Sequence, residues 1–161
     1  MKVAIGSDDA GYPLKEIIKS YLTELGVEYD DFGPSDGNVP VDYPDVGFAV
    51  AQQISDGKYE RGILICGTGI GMTITADKVP GVRAALCHDT YSAERARRSN
   101  NAQVLTMGAR VIGPELAKRI VFVWLNSEFD GGNSGRKVQK IMDGELRYRN
   151  LDRRSETKSC S

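Results

Sequence analysis

The residues best equipped for chemistry converge on one short stretch, GILICGTGIG at positions 62–71. It sets a thiol, Cys66, at the end of an apolar run and follows it with Gly67, Thr68, Gly69 and Gly71. A thiolate made accessible by such a loop, its charge favoured by loop amides or a following helix terminus, is a base or a nucleophile. The glycines let N–H groups approach a ligand without an intervening side chain. Amides so placed stabilise an oxyanion or hold a phosphate. The alternative reading of Cys66 is a small buried hydrophobe, the usual fate of an intracellular cysteine. Structural turns also collect glycine.

His88, the single histidine of the chain, sits between Cys87 and Asp89. It reads either as an acid–base group or as an ordinary hydrogen-bonded one, while Asp89 and Ser92 have the types that cap a helix. Asp8 and Asp9 orient substrate hydroxyls in one reading and merely end the first strand in the other. Among the basic residues, Arg110 is the best anion binder, since it directly follows Met107-Gly108-Ala109 at a strand end. The three cysteines, Cys66, Cys87 and Cys160, lack metal-site spacing. They point to a reducing cytoplasm and to chemistry without a metal.

Positioning these groups requires a scaffold, and the pattern along the chain supplies one. Apolar strand candidates are Lys2 to Gly6, Val27 to Tyr29, Ile63 to Ile65, Val82 to Leu86 and Ala102 to Thr106. Helical spacing runs from Pro13 to Gly26, through Val46 to Ile54, Tyr91 to Arg98, from Pro114 to Leu125, and around Val138 to Leu146. Asp30 to Pro44, rich in Gly, Pro and Asp, reads as a loop. Short apolar strands alternating with amphipathic helices predict a single-domain, Rossmann-like three-layer α/β/α fold with a five-stranded parallel sheet. We expect one domain over 1–148 and a polar tail over 149–161, the latter carrying Cys160. In an open α/β sheet, ligands bind beyond the carboxyl ends of the strands. Ser7-Asp8-Asp9, Cys66 to Gly69, Cys87-His88-Asp89 and Gly108-Ala109-Arg110 all fall at such ends. The first turn, GSDDAG, misses the dinucleotide pattern, so no nicotinamide site is expected.

Composition narrows the partners. The 161 residues carry 21 Lys+Arg against 22 Asp+Glu, a formal net charge of -1, which argues against broad nucleic-acid binding. No apolar run is long enough to span a membrane. The chain enters a strand pattern at once, so we expect no secretory leader and a cytoplasmic protein.

The ordered set GSDDAG, DYPD, ILICGTGIG, ADKVPGVRAA and HDTYSAERARRSNNAQVLTMGARVIG strongly resembles the ribose-5-phosphate isomerase B and galactose-6-phosphate isomerase family, over roughly residues 1–144. The resemblance implies a homodimer or homotetramer with active sites shared between subunits, and no metal or nucleotide cofactor. It implies that Cys66 moves a proton between C1 and C2 of a small phosphorylated sugar through a cis-enediol. Thr68 and the amides of Gly67, Gly69, Ile70 and Gly71 would stabilise the negative oxygen. Asp8 and Asn100 would bind sugar hydroxyls, and Tyr43 would line the pocket. Arg110, Arg136 and Lys137 would meet the phosphate, with one set supplied across the interface.

Two departures bear on the substrate. Family members acting on ribose 5-phosphate usually carry histidine at the positions of Asp9 and Ser99, the second assigned to ring opening. Serine is a poor acid–base group at neutral pH. The tail departs too, with Asn133 and Lys137 where arginines are common. Either His88 takes over ring opening, or the substrate needs none. A tetrose or tetrulose 4-phosphate has its O4 esterified and cannot close a furanose through it. The segment SAERARRSNNAQ also resembles the branch that acts on erythrulose 4-phosphate in erythritol breakdown. Two rivals from other classes remain, a phosphosugar-binding protein without catalysis and a thiol hydrolase pairing Cys66 with His88.

Overall fold

The computed structural model describes the backbone of residues 1–158 and the side chains of residues 1–150; Cys160 lies outside the described residues. The five strands are β1 (Lys2–Ser7), β2 (Glu28–Asp31), β3 (Arg61–Cys66), β4 (Ala84–Leu86) and β5 (Val104–Gly108). The helices are α1 (Tyr12–Glu24), α2 (Tyr43–Ser55), α3 (Ile70–Asp77), α4 (Thr90–Arg98), α5 (Pro114–Leu125) and α6 (Gly132–Lys158). All strands run parallel in the order β2-β1-β3-β5-β4. The register pairs Ser7 with Ile65 and Cys66 with Gly108, so the carboxyl ends of the three central strands lie side by side.

Alternation along the strands builds two cores, as expected for a sheet covered on both faces. On one face Val3, Ile5, Ile63, Ile65, Leu105 and Met107 pack against α1, α4 and α5, with Ile18, Leu22, Ile120 and Trp124 fully buried. On the other, Ala4, Leu64, Cys66 and Val104 meet α2 and α3 through Val46, Val50, Ile54 and Met72. Burying each such aliphatic side chain contributes about 1.5–3 kcal/mol. A Cβ at Gly6 would lie 2.5 Å from Val46 Cγ1, so glycine there lets α2 close on the sheet.

The sequence expectation omits α3. Glycines at 67, 69 and 71 read as one long loop, and the β-branched Thr73, Ile74 and Thr75 have modest helix propensity. Packing of Met72, Thr75 and Ala76 onto α2 and the sheet makes the segment helical. β4 and β5 each start two residues later than expected. Val82 still belongs to the turn after Pro80, its N–H bonded to Val79 O, and the Ala102 N–H bonds Ala96 O at the exit of α4. β2 runs on to Asp31, and α2 starts at Tyr43 with Pro44 in its first turn.

α6 is longer than the expected Val138 to Leu146, and residues 149–158 of the expected tail are helical. Among the described residues it touches the body of the molecule sparingly. The Glu145 carboxylate accepts from the Gly81 N–H at 3.1 Å, and Arg83 Nη1 donates to the Met142 sulfur at 3.0 Å. Ile141, Leu146 and Tyr148 on the same helix are more than half exposed. Before α2, the loop is held by a buried cation. Lys15 Nζ donates to both Asp31 carboxylate oxygens at 2.8 Å and to Pro34 O at 2.5 Å.

Candidate active site

A cleft of about 550 Å³ opens at the carboxyl ends of β1 and β3, lined by Asp8, Asp9, Ala10, Tyr43, Cys66, Gly67, Thr68, Ile70, Gly71, Ile74 and Arg110. Cys66 ends β3 and is only 4% exposed. Its Sγ accepts a hydrogen bond from the Gly69 N–H at 3.0 Å, which sets a backbone dipole against the sulfur. Gly69 makes this possible from the left-handed region, with φ +78°, and a Cβ there would lie 2.8 Å from Met107 C. Such a position favours glycine twice, by conformation and by space.

The rest of the cleft is held just as closely. A Cβ at Gly71 would sit 2.5 Å from the Tyr43 ring, so its absence seats that ring at the rim. Thr68 is exposed at the loop tip and its hydroxyl accepts from the Ile70 N–H at 3.3 Å. The Arg110 side chain lies across Gly67, where a Cβ would be 3.3 Å from Nη1. Two backbone bonds tie that arginine's turn to the thiol's loop, Ala109 N–H to Cys66 O at 2.8 Å and Arg110 N–H to Gly67 O at 3.0 Å. Asp8 accepts from the Gly11 N–H at 2.8 Å. Burial pushes its carboxyl above the ordinary value, and the Gly11 N–H and the Arg110 charge offset this only in part.

Five sequence-predicted residues lie elsewhere in a single chain. Asn100 lines a separate cavity of about 450 Å³ with Arg83, Ile141 and Glu145. Ser99 closes α4, its N–H bonded to Arg95 O at 2.8 Å. Arg136 and Lys137 are exposed near the start of α6. His88 follows β4 without lining the cleft, and its Nε2 accepts the Gly108 N–H at 2.9 Å. That bond requires the neutral ring with its proton on Nδ1. Burial keeps the His88 pKa below the ordinary histidine value, against the opposing pull of Asp89. Cys66 and His88 are therefore each bonded to a backbone amide rather than to each other, and they do not form the dyad that a thiol hydrolase uses. Burial pushes the neighbouring Cys87 thiol up to about 12, which leaves it a packing residue.

Sequence reading missed Ala10 and Ile74 in the lining. Ile74 stands one helical turn after Ile70, a relation visible only once α3 is recognised. Both isoleucines are more than half exposed. Among the described residues, no three His, Cys, Asp or Glu side chains gather as a metal-ligand set.

Comparison with known proteins agrees with this geometry. A family model described as Ribose/Galactose Isomerase matches residues 3–141. The chain is 57% identical over 142 residues to a D-erythrulose-4-phosphate isomerase of Pectobacterium atrosepticum, covering 88% of this chain and 93% of that protein. It is 54% identical over 149 residues to a ribose-5-P isomerase B of Listeria innocua, covering 92% and 100%. Ribose-5-phosphate isomerase B of Clostridium thermocellum superposes with a TM-score of 0.89 at 47% identity, over 92% of this chain and 99% of that one. A thiol at the end of the central strand, a glycine loop beside it and a match along nearly the whole described body agree, and the chain belongs to the ribose/galactose isomerase family.

Proposed function

We propose that the cleft interconverts the aldose and ketose forms of a small phosphorylated sugar through a cis-enediol, as a ribose-5-phosphate isomerase B type enzyme. The observation that carries this reading is Cys66 Sγ held at 3.0 Å from the Gly69 N–H, in a cleft shared with Asp8, Tyr43 and Arg110. In the aldose-to-ketose direction the C2–H bond breaks and its proton passes to the Cys66 thiolate. The electron pair left behind forms the C1=C2 bond, and the charge goes to O1. The O2 proton then moves to O1, and the Cys66 thiol returns its proton to C1. N–H groups of the 67–71 loop and the Thr68 hydroxyl stabilise the oxyanion as it develops. Asp8 and Asp9 orient hydroxyls, and Tyr43 closes the side of the pocket. Arg110 meets an anionic group, and the binding energy of a phosphate far from C1 and C2 serves orientation.

A second substrate reading is favoured by Ser99, together with the absence of His88 from the cleft lining. Ribose 5-phosphate must open its furanose ring before a C1 carbonyl exists. A tetrulose 4-phosphate needs no such step, and a relative with 57% identity is named for erythrulose 4-phosphate.

The working unit on this reading is a cytoplasmic homodimer or dimer of dimers. Asn100, Ser99, Arg136 and Lys137 lie outside the Cys66 cleft of their own chain and serve the cleft of a second copy. The sparingly packed α6, with Ile141, Leu146 and Tyr148 outward, supports this. The test is kcat/KM for ribose 5-phosphate and D-erythrulose 4-phosphate side by side, each repeated with Cys66→Ala. Cys66-dependent turnover of either sugar is the expected result. Tight phosphosugar binding by both forms with no turnover would establish the non-catalytic binder instead.

A further inference from the structure

β4 is short, and the way it ends gives His88 a task. The last paired residues are Leu86 and Thr106, and the Cys87 N–H still donates to Thr106 O at 3.1 Å. In a parallel ladder the next rung would run from the Gly108 N–H to a main-chain carbonyl of the neighbouring strand. The chain has by then turned away toward α4, whose cap is Asp89. The imidazole takes the place of that carbonyl, with Nε2 2.9 Å from Gly108 N. Gly108 is buried, so without the ring its N–H would face no water.

Gly108 is also the point where β5 meets the catalytic loop. A Cβ on it would lie 2.6 Å from both C and O of Thr68, and its register partner is Cys66. The two residues after it donate to Cys66 O and Gly67 O. A shift of the Gly108 peptide would therefore be felt by Thr68, by the Gly67 amide and by the Arg110 turn together. We infer that His88 is a positioning residue for the reaction, its neutral Nε2 acting as the last rung between β4 and β5 and fixing the 108–110 turn against the Cys66–Gly69 loop. This rests on the isomerase reading for its kinetic consequence, but the rung itself does not.

The rung is sensitive to protonation, because an imidazolium has no acceptor to offer. Gly108 meets Cys66 and Thr68 from β3 and its loop, and the Arg110 turn follows it, while the charge acting on the ring comes from Asp89 of the same segment. Asp89 acts on the ring in the direction of the charged form. Lowering the pH protonates His88, leaves the Gly108 N–H without a partner and sets two donors face to face.

The experiment compares wild type, H88Q and H88L. Glutamine carries an acceptor oxygen at the same remove from Cα as Nε2 but does not titrate. Leucine keeps bulk and offers no acceptor. With thermal unfolding confirming that all three fold, kcat at pH 8 is expected to fall about 10- to 100-fold in H88L. H88Q should recover to within about 3-fold of wild type and lose the part of the acid limb that His88 contributes below pH of about 6.5. Amide exchange of Gly108, followed by NMR, should be slow in wild type and H88Q and fast in H88L. An H88Q enzyme as poor as H88L would overturn the inference and return His88 to proton transfer. Full activity of H88L, or unchanged Gly108 protection in it, would also overturn it. Should wild type turn over neither sugar phosphate, the function reading fails, while the Gly108 exchange still decides the rung.

Discussion

The two halves of the sheet's carboxyl edge differ in how finished they are. At β1 and β3 the carboxylate of Asp8, the thiol and the turn of the arginine are already tied down within the chain. Asp8 is bonded to Gly11, the Cys66 sulfur to Gly69, and the Arg110 turn to the thiol's own loop. At β4 and the exit of α4 the corresponding residues point elsewhere. His88 props up a backbone amide, Ser99 merely closes a helix, Asn100 lines a different cavity, and Arg136 and Lys137 are exposed near the start of α6. On the proposed reading, one half of the site is preorganised within the fold and the other is displayed for a second copy. The difference teaches that preorganisation is spent where charge develops, at the thiol and the oxyanion. Groups that only bind the distant end of a substrate can be supplied from outside.

The strongest way to break this contrast is to remove the thiol. Cys66→Ala should lower kcat/KM by about 10²- to 10⁴-fold, the usual worth of a general base, while substrate Kd by calorimetry changes little. Activity retained in that variant would sink the assignment of the β3 half. Next comes the glycine that feeds the sulfur. Gly69→Ala forces a left-handed residue and a Cβ 2.8 Å from Met107 C, so both fold and site should suffer. We expect about 1–3 kcal/mol of lost stability in denaturant titration, with kcat reduced about 100-fold in the folded fraction. A Gly69→Ala enzyme with native kcat would show that the amide at the sulfur is dispensable.

The displayed half is tested by mixing. Cys66→Ala and Arg136→Ala chains, each inactive alone, are refolded together in equal amounts. If the halves come from different copies, the mixed dimers regain one intact site of two. Random association then restores about a quarter of wild-type activity. No recovery would place Arg136 in its own chain's site, and an Arg136→Ala chain active by itself would remove that arginine from the reaction.

The smallest effect concerns stability against pH. Burial pushes the Asp31 carboxyl up, but bonds from Lys15, Lys19 and the Gly33 N–H outweigh it and hold it below the ordinary carboxylate value. A carboxylate so lowered adds stability that is complete above its unfolded value and is lost as pH falls through the folded one. Melting followed from pH 6 to pH 2 should therefore fall less steeply in Asp31→Asn below pH of about 4. Equal slopes would remove that carboxylate from the acid response. His88 acts in the same sense at higher pH, since its lowered pKa costs stability as pH drops below about 6.5.

Legibility in the sequence followed the length of the signal. Strands such as Ile63 to Ile65 were readable as short apolar runs bounded by turn residues, and amphipathic helices such as α5 because their apolar period repeats over several turns. The eight-residue α3 was not, because glycine on its N-terminal side and threonine within it imitate a loop. With α3 unread, Ile74 had no reason to be grouped with Ile70. The place of Cys66 at a strand end beside a glycine loop was legible from the apolar run and the glycines that flank it. The role of His88 was not, since a histidine after a strand looks the same whether it moves protons or accepts an amide.

By itself, then, the sequence determined the layer architecture, the strand ends where chemistry collects, and the thiol with its glycine loop. These depend on local patterns, where apolar alternation and missing side chains act within a few residues. Only the tertiary structure decided that Gly69 rather than another amide faces the sulfur, that Gly71 makes room for Tyr43, and that Asn100 opens onto a different cavity. The reason is distance along the chain. Gly71 lies far from Tyr43, and Gly108 from Thr68, so no local spacing encodes their contact. It arises only when parallel strands, each returning through a helix, bring their carboxyl ends to one edge.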